Sequence, residues 1–153
     1  CRLTDESKKI LVTSVCLACS DFTAAYYSYT QQVDRTIYPD GGVMTWSRDI
    51  QEQSPTSTRV HTEVIAAIRA AELDKREYVL LKIMLVCNDE LEGLATLDRE
   101  RIRKLKNECF KTLRVYVFKK RGSEGPAFFG RILSILQVVN RNTNWKKHQH
   151  LLI

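Results

Sequence analysis

The sequence predicts an all-α domain, a layered helical bundle of five or six helices with one small β-hairpin. Three observations carry this. Apolar residues recur every three or four positions over most of the 153 residues, the spacing of one helix face. Only 6 Gly and 3 Pro punctuate the chain, and 44% of it is hydrophobic, an ordinary globular composition far from disordered or fibrous types. Finally, a single short stretch joins turn chemistry to β-branched and aromatic neighbours. The length suits one compact domain with one core, residues 1–153.

The first helix is expected over residues 7–29. Polar Thr4-Asp5-Glu6-Ser7 offers N-cap candidates and acidic first-turn residues. Ile10, Leu11, Val15, Ala18, Phe22 and Ala25 follow at helical spacing. Val12, Leu17 and Cys19 make a second face apolar, as in a helix covered on two sides. The hairpin is expected between Thr36 and Trp46, where Pro39 presets one φ and Gly41 accepts the reversal. Gln51 to Thr58 is polar, contains Pro55 and reads as a loop.

A second helix is expected from about Arg59 to Ala71 on Val64, Ile65, Ile68 and Ala71. A third opens at Leu73-Asp74-Lys75-Arg76, and Tyr78 to Cys87 is apolar nearly all round apart from Lys82, the mark of a buried central helix. Asn88-Asp89 and Gly93 stop it. Asp98 to Lys120 forms the next, with Ile102, Leu105, Cys109, Leu113 and Tyr116 as one stripe. From Arg99 through Arg121 ten Lys or Arg stand against two Glu, so the opposite face is basic. Arg121 to Pro126 is a break, and Pro126 is placed to enter the last helix. There Phe129, Ile132, Leu133, Leu136 and Val139 share a face, while Asn140, Asn142 and Asn144 argue against its continuing to Ile153.

Twenty-four basic against 18 acidic residues leave +6, a modest attraction for nucleic acid or acidic lipid over a chain of this size. The apolar run Val79–Cys87 is too short to span a bilayer, so no transmembrane helix and no membrane partner are expected. The N-terminus turns acidic where a signal peptide would be apolar, and the lack of an initiator Met suggests a piece of a longer chain. Five Cys, an odd number, and no Asn-x-Ser/Thr sequon favour a reducing compartment.

Little points to catalysis. Cys16-Leu17-Ala18-Cys19 has redox or metal spacing, but it lies mid-helix with no second ligand pair, so two buried structural cysteines are expected. His61, His148 and His150 lack a third ligand. Asp89, Glu90 and Glu92 sit in a linker with no acid–base partner set. No phosphate loop, nucleophile elbow or dinucleotide fingerprint occurs, and no enzyme is expected. The basic helix is read as a solvated face in preference to a nucleic-acid surface, because its aromatics Phe110, Tyr116 and Phe118 lie on or beside the apolar stripe.

Two charges fall in apolar surroundings: Glu77 in the first turn of the central helix, and Arg131 inside Phe128–Val139. An unpaired buried charge is costly, so the two are expected to pair; the alternative is that each reaches solvent separately.

Leu73-Asp74-x-x-Glu77-Tyr78-x-x-Leu81-Lys82 resembles the eighth-helix motif of the ligand-binding domain of nuclear hormone receptors. Asn88-Asp89 with Gly93-Leu94 resembles the loop after it, and Phe129-Gly130-Arg131-Ile132-Leu133 resembles the start of the tenth helix. Residues 5–11 are similar to the end of the third helix and the fourth, and Pro39-Asp40-Gly41 sits at the family's β-turn. The resemblance is best over residues 73–136. It implies that Glu77 and Arg131 are that family's structural ion pair. It also implies a partial domain, without the helices before Leu3 or an activation helix after Ile153. At the positions aligned with the coactivator-clamp lysine and the tryptophan one turn later, this chain has Val12 and Val15.

By that resemblance the function is binding: a ligand-regulated transcription-factor domain of the nucleus, or also the cytoplasm. It would take a small lipophilic ligand and no other cofactor, in an apolar cavity for which Cys19, Phe22, Tyr26 and Trp46 are candidates. Partners would be transcriptional coregulators and a homo- or heterodimer partner. The dimer-interface candidates are Ile132, Ile135, Leu136 and Val139, unless they are simply core. DNA would be met only through a zinc domain absent from this chain. The alternative is a ligandless all-α interaction and dimerisation module, in which a filled core replaces the cavity.

Overall fold

The computed structural model describes residues 3–38, 40, 42 and 55–151. These form five α-helices, with no strand among the described residues: α1 (Asp5–Thr30), α2 (Pro55–Ala70), α3 (Lys75–Val86), α4 (Thr96–Arg121) and α5 (Gly125–Leu151). A single 3-10 turn, Gly122–Glu124, joins α4 to α5.

Local chemistry explains the helix ends. The Ser7 N–H donates to Thr4 Oγ1 at 3.3 Å, so Thr4 caps α1, and Asp5 and Glu6 face the positive end of its dipole. Two helices end on a left-handed residue that is not glycine, Gln32 at φ 58° and Glu72 at φ 47°. Each turn closes with a six-residue hydrogen bond, Val33 N–H to Ser28 O at 3.1 Å and Leu73 N–H to Ile68 O at 3.2 Å. At the end of α4, Gly122 takes φ 55° and its N–H caps Phe118 O. A Cβ on Gly125 would lie 3.0 Å from the Phe118 Cα, so glycine lets the two helices meet closely at this turn.

Two boundaries differ from the sequence expectation. The segment expected as a loop to Thr58 is already helical from Pro55, and a proline at a first helical position gives up no hydrogen bond. The last helix runs on to Leu151 despite its asparagines. Asn142, Thr143 and Lys146 are buried there (4%, 3% and 6% exposed), and packing outweighs propensity. Of the hairpin, the turn alone falls in the described residues: Tyr38 N–H donates to Gly42 O at 2.8 Å, and Gly42 N–H to Asp40 Oδ1 at 2.9 Å. Residues 43–46, and with them Trp46, lie outside the described residues.

The chain divides into two compact units, Cys1–Cys19 with Asp74–Gly130, and Ser20–Leu73 with Arg131–Ile153. In the first, α3 packs on α4, and Leu11, Cys87, Leu94 and Ile102 form a core cluster edged by Leu3, Ile10, Ile83 and Leu91. The second buries Phe22, Ile65, Ile68 and Leu73 from the 20–73 segment and Ile132, Ile135 and Val139 from α5.

The membrane expectation rests on the wrong segment. By length and composition α1 is apolar enough to cross a bilayer, although the Val79–Cys87 run is not. In the fold its Leu11, Val15, Ala18, Phe22 and Ala25 are buried as protein core. The stripe of α4 also shifts: Leu105 is exposed and Val117 is buried in line with Ile102, Cys109 and Leu113, because the helix turns its apolar seam one position on.

Candidate functional site

Glu77 is fully buried at the first turn of α3. Sequence explains how it gets there: Asp74-x-x-Glu77 is a reciprocal capping box. The Glu77 N–H donates to Asp74 Oδ1 at 2.8 Å, and the Asp74 N–H donates back to Glu77 Oε2 at 2.9 Å. α4 completes the group from 43 residues away in sequence. Lys120 Nζ reaches Asp74 Oδ2 at 2.7 Å and Glu77 Oε1 at 3.2 Å. The Tyr116 hydroxyl donates to the same Asp74 Oδ2 at 2.7 Å. Burial pushes the Asp74 carboxyl up, but the hydrogen bonds from Glu77 N–H, Lys120 and Tyr116 outweigh it and hold it below the ordinary range. Burial likewise opposes charge on Lys120, and its two carboxylate partners more than compensate, raising it. Tyr116 is raised chiefly by its bond to Asp74. The cluster binds charge to charge where α3 begins and α4 ends.

Sequence reasoning placed Glu77 correctly and missed Lys120 and Tyr116. The capping box was readable from its spacing; the lysine was not, since nothing local ties residue 120 to residue 77. Arg131 is solvent-exposed, contrary to the burial expected for it. It stands on an outward position of α5, with Ile132 turned inward instead.

The acidic linker after α3 is held structurally. Asp89 accepts from Arg103 Nε at 2.9 Å and from Lys106 Nζ at 3.1 Å. Arg99 donates to the carbonyls of Asp89 and Leu91 at 2.7 and 3.1 Å. The Arg103 bond, with Lys106, brings the Asp89 carboxyl down to about 2 against the opposing effect of burial. Asp98 accepts from the Thr4 hydroxyl at 2.7 Å and the Thr4 N–H at 3.0 Å, and these bonds hold it at about 2 as well.

The cysteine expectation is half corrected. Cys16 is exposed and Cys19 half-buried, because position 16 falls on the outer side of α1. Among the described residues no group of three potential ligands gathers for a metal. Burial raises the thiols of Cys19 and Cys109, and it pushes Cys87 up to about 11, so these three are poor nucleophiles near neutral pH.

The cavity and interface candidates separate. Phe22 is fully buried; Tyr26 is half-buried, its ring 6.1 Å from that of Tyr29. Ile132, Ile135 and Val139 are core residues at 0%, 0% and 1% exposure, and a side chain with no exposed area has none left to bury in a dimer. Leu136, half-buried, keeps some. In the second unit Lys146 meets Asp21 at 2.9 Å with both side chains buried, and Arg141 meets Glu63 at 2.7 Å. A depression of about 370 Å³ runs along α4, lined by polar side chains from Glu100 to Lys111, and offers no apolar seat.

With that geometry in hand, the comparison with known families is direct. The whole chain, residues 1–153, matches the family model of the ligand-binding domain of nuclear hormone receptor, and the chain belongs to that family, which consists of receptor domains and not of enzymes. Among its relatives, nuclear hormone receptor family member nhr-136 of Caenorhabditis elegans is 30% identical over 149 residues, 95% of this chain. Members nhr-154 and nhr-60 of the same organism are 26% and 27% identical over 97% and 99% of it. The chain spans about a third of the length of these curated relatives, 34%, 33% and 33%.

Proposed function

We propose that this chain acts as the ligand-sensing part of a nuclear receptor transcription factor. A small lipophilic molecule held beside α1 would bias which surfaces recruit coregulators or a dimer partner. The observation that supports this is the family match over all 153 residues. On this reading the parent protein works in the nucleus and meets DNA through a part outside this chain. Cys19 and Tyr26, both half-buried, and Trp46 are the residues proposed to face ligand. Leu136 and its exposed neighbours on α5 are proposed to face a partner.

One observation favours a second reading, a ligandless interaction module: Phe22, a candidate for the cavity wall, is fully buried. Native mass spectrometry of the purified chain separates the two. A lipid-sized adduct that survives gentle ionisation supports ligand sensing; an adduct-free chain that also fails to bind added fatty acids and sterols overturns it. The Glu77–Arg131 pairing implied by the resemblance remains a proposal of the sequence. A double-mutant cycle with no coupling energy between the two would reject it.

A further inference from the structure

We infer that the C-terminal half of α4, with the first turn of α5, is a docking surface for an acidic polypeptide segment carrying apolar anchors, a surface independent of any ligand cavity. Three phenylalanines of the first unit form its centre. Phe110 and Phe118 stand 37% and 36% exposed, and both set an edge against Phe129, with ring centroids 5.3 and 6.0 Å apart. Val115, three residues before Phe118 on the same helix, is 67% exposed. Exposed aromatic rings grouped in this way are costly to leave in water and anchor protein interfaces.

Charge decides the occupant. Lys111, Arg114 and Lys119 are exposed around the rings, and from Phe110 to Arg121 α4 contains no acidic residue. Upstream and downstream cations already have carboxylates, Arg103 and Lys106 with Asp89, and Lys120 with Asp74 and Glu77. Lys111 and Lys119 have no ion-pair partner among the described residues. A two-fold contact with a second copy would lay this patch on itself and set cation against cation. Single-stranded nucleic acid would need open ring faces for base stacking. Here the rings already contact one another edge to face, and the Arg114 guanidinium lies over Phe118 at 5.8 Å. An acidic segment with leucine or phenylalanine anchors satisfies both the rings and the unneutralised cations.

The test is fluorescence anisotropy with the full 153-residue chain. The probe is a labelled helical peptide with Leu and Phe on one face and Glu elsewhere. The controls are the same peptide with Lys for Glu, and an oligo-dT strand. The acidic peptide is expected to bind, and Arg114→Glu or Lys111→Glu to weaken it about tenfold, with circular dichroism unchanged. Phe118→Ser should weaken it at least as much. These two charge reversals lie on an exposed helix face, so they keep the result readable if Phe118→Ser unfolds the chain. The inference is overturned if neither charge reversal affects binding, or if the Lys peptide or oligo-dT binds as tightly. It is equally overturned if sedimentation shows self-association that Arg114→Glu abolishes.

Discussion

Glu77 is the residue on which the first unit turns. A carboxylate with no exposure needs hydrogen-bond partners, and the N-cap of α3 supplies one in the Asp74 N–H. Lys120 provides the cation, and because its own side chain is 31% exposed it need not be wholly desolvated to do so. Replacing Lys120 with Met should destabilise the chain by about 1.5–3 kcal/mol in urea unfolding, the range for a charged hydrogen bond. Tyr116→Phe should lower the urea midpoint by less than Lys120→Met, since it removes one bond to a carboxylate that keeps its other partners. If Lys120→Met left the unfolding midpoint untouched, Glu77 would have to be neutralised elsewhere.

Between elements, the short α4–α5 turn gives a paired test. Alanine at Gly125 would press its Cβ on Phe118 backbone at 3.0 Å, whereas a Cβ at Gly130 meets nothing within 4 Å. Gly125→Ala should therefore destabilise by about 1–3 kcal/mol, the usual cost of overpacking. Gly130→Ala, on a helix with open space around it, should be neutral or stabilise by about 0.5–1 kcal/mol. Thermal melts of the two variants moving in the same direction would contradict this account. At the end of α1 the left-handed Gln32 offers the opposite case, and Gln32→Gly should relieve up to about 1 kcal/mol of backbone strain. No glycine or asparagine marks that end in the sequence, which is why the periodic pattern, and not turn chemistry, had to find it.

For the molecule as a whole, acid stability follows from two anchored carboxylates. Asp89 and Asp98 sit at about 2 in the folded chain and near the ordinary carboxylate value of roughly 4 when unfolded. Their contribution is complete above the unfolded value and is lost as pH falls through the folded one. Unfolding free energy should drop as pH goes from about 4 to about 2, and Asp89→Asn with Asp98→Asn should flatten that slope. A slope identical in the double variant would assign the acid sensitivity to other groups. Both carboxylates serve to fasten chain segments: Asp89 holds the α3–α4 linker to α4, and Asp98 holds Thr4 at the start of α1.

Helix identity was legible in the chain because it is a local property: apolar spacing found all five helices, α2 with its start placed too late, and the eighth- and tenth-helix motifs led to the family. Buried Glu77 was legible too, since a carboxylate in an apolar first turn has few other fates. Tertiary structure alone decided who partners whom. Lys120 reaches Glu77, Arg103 and Lys106 reach Asp89, and Thr4 reaches Asp98 across separations that carry no periodic signal. It also decided which faces close. Ile132, Ile135 and Val139 became core while Leu105 and Cys16 met solvent, because a helix with two apolar faces does not announce in its sequence which one its neighbours will cover.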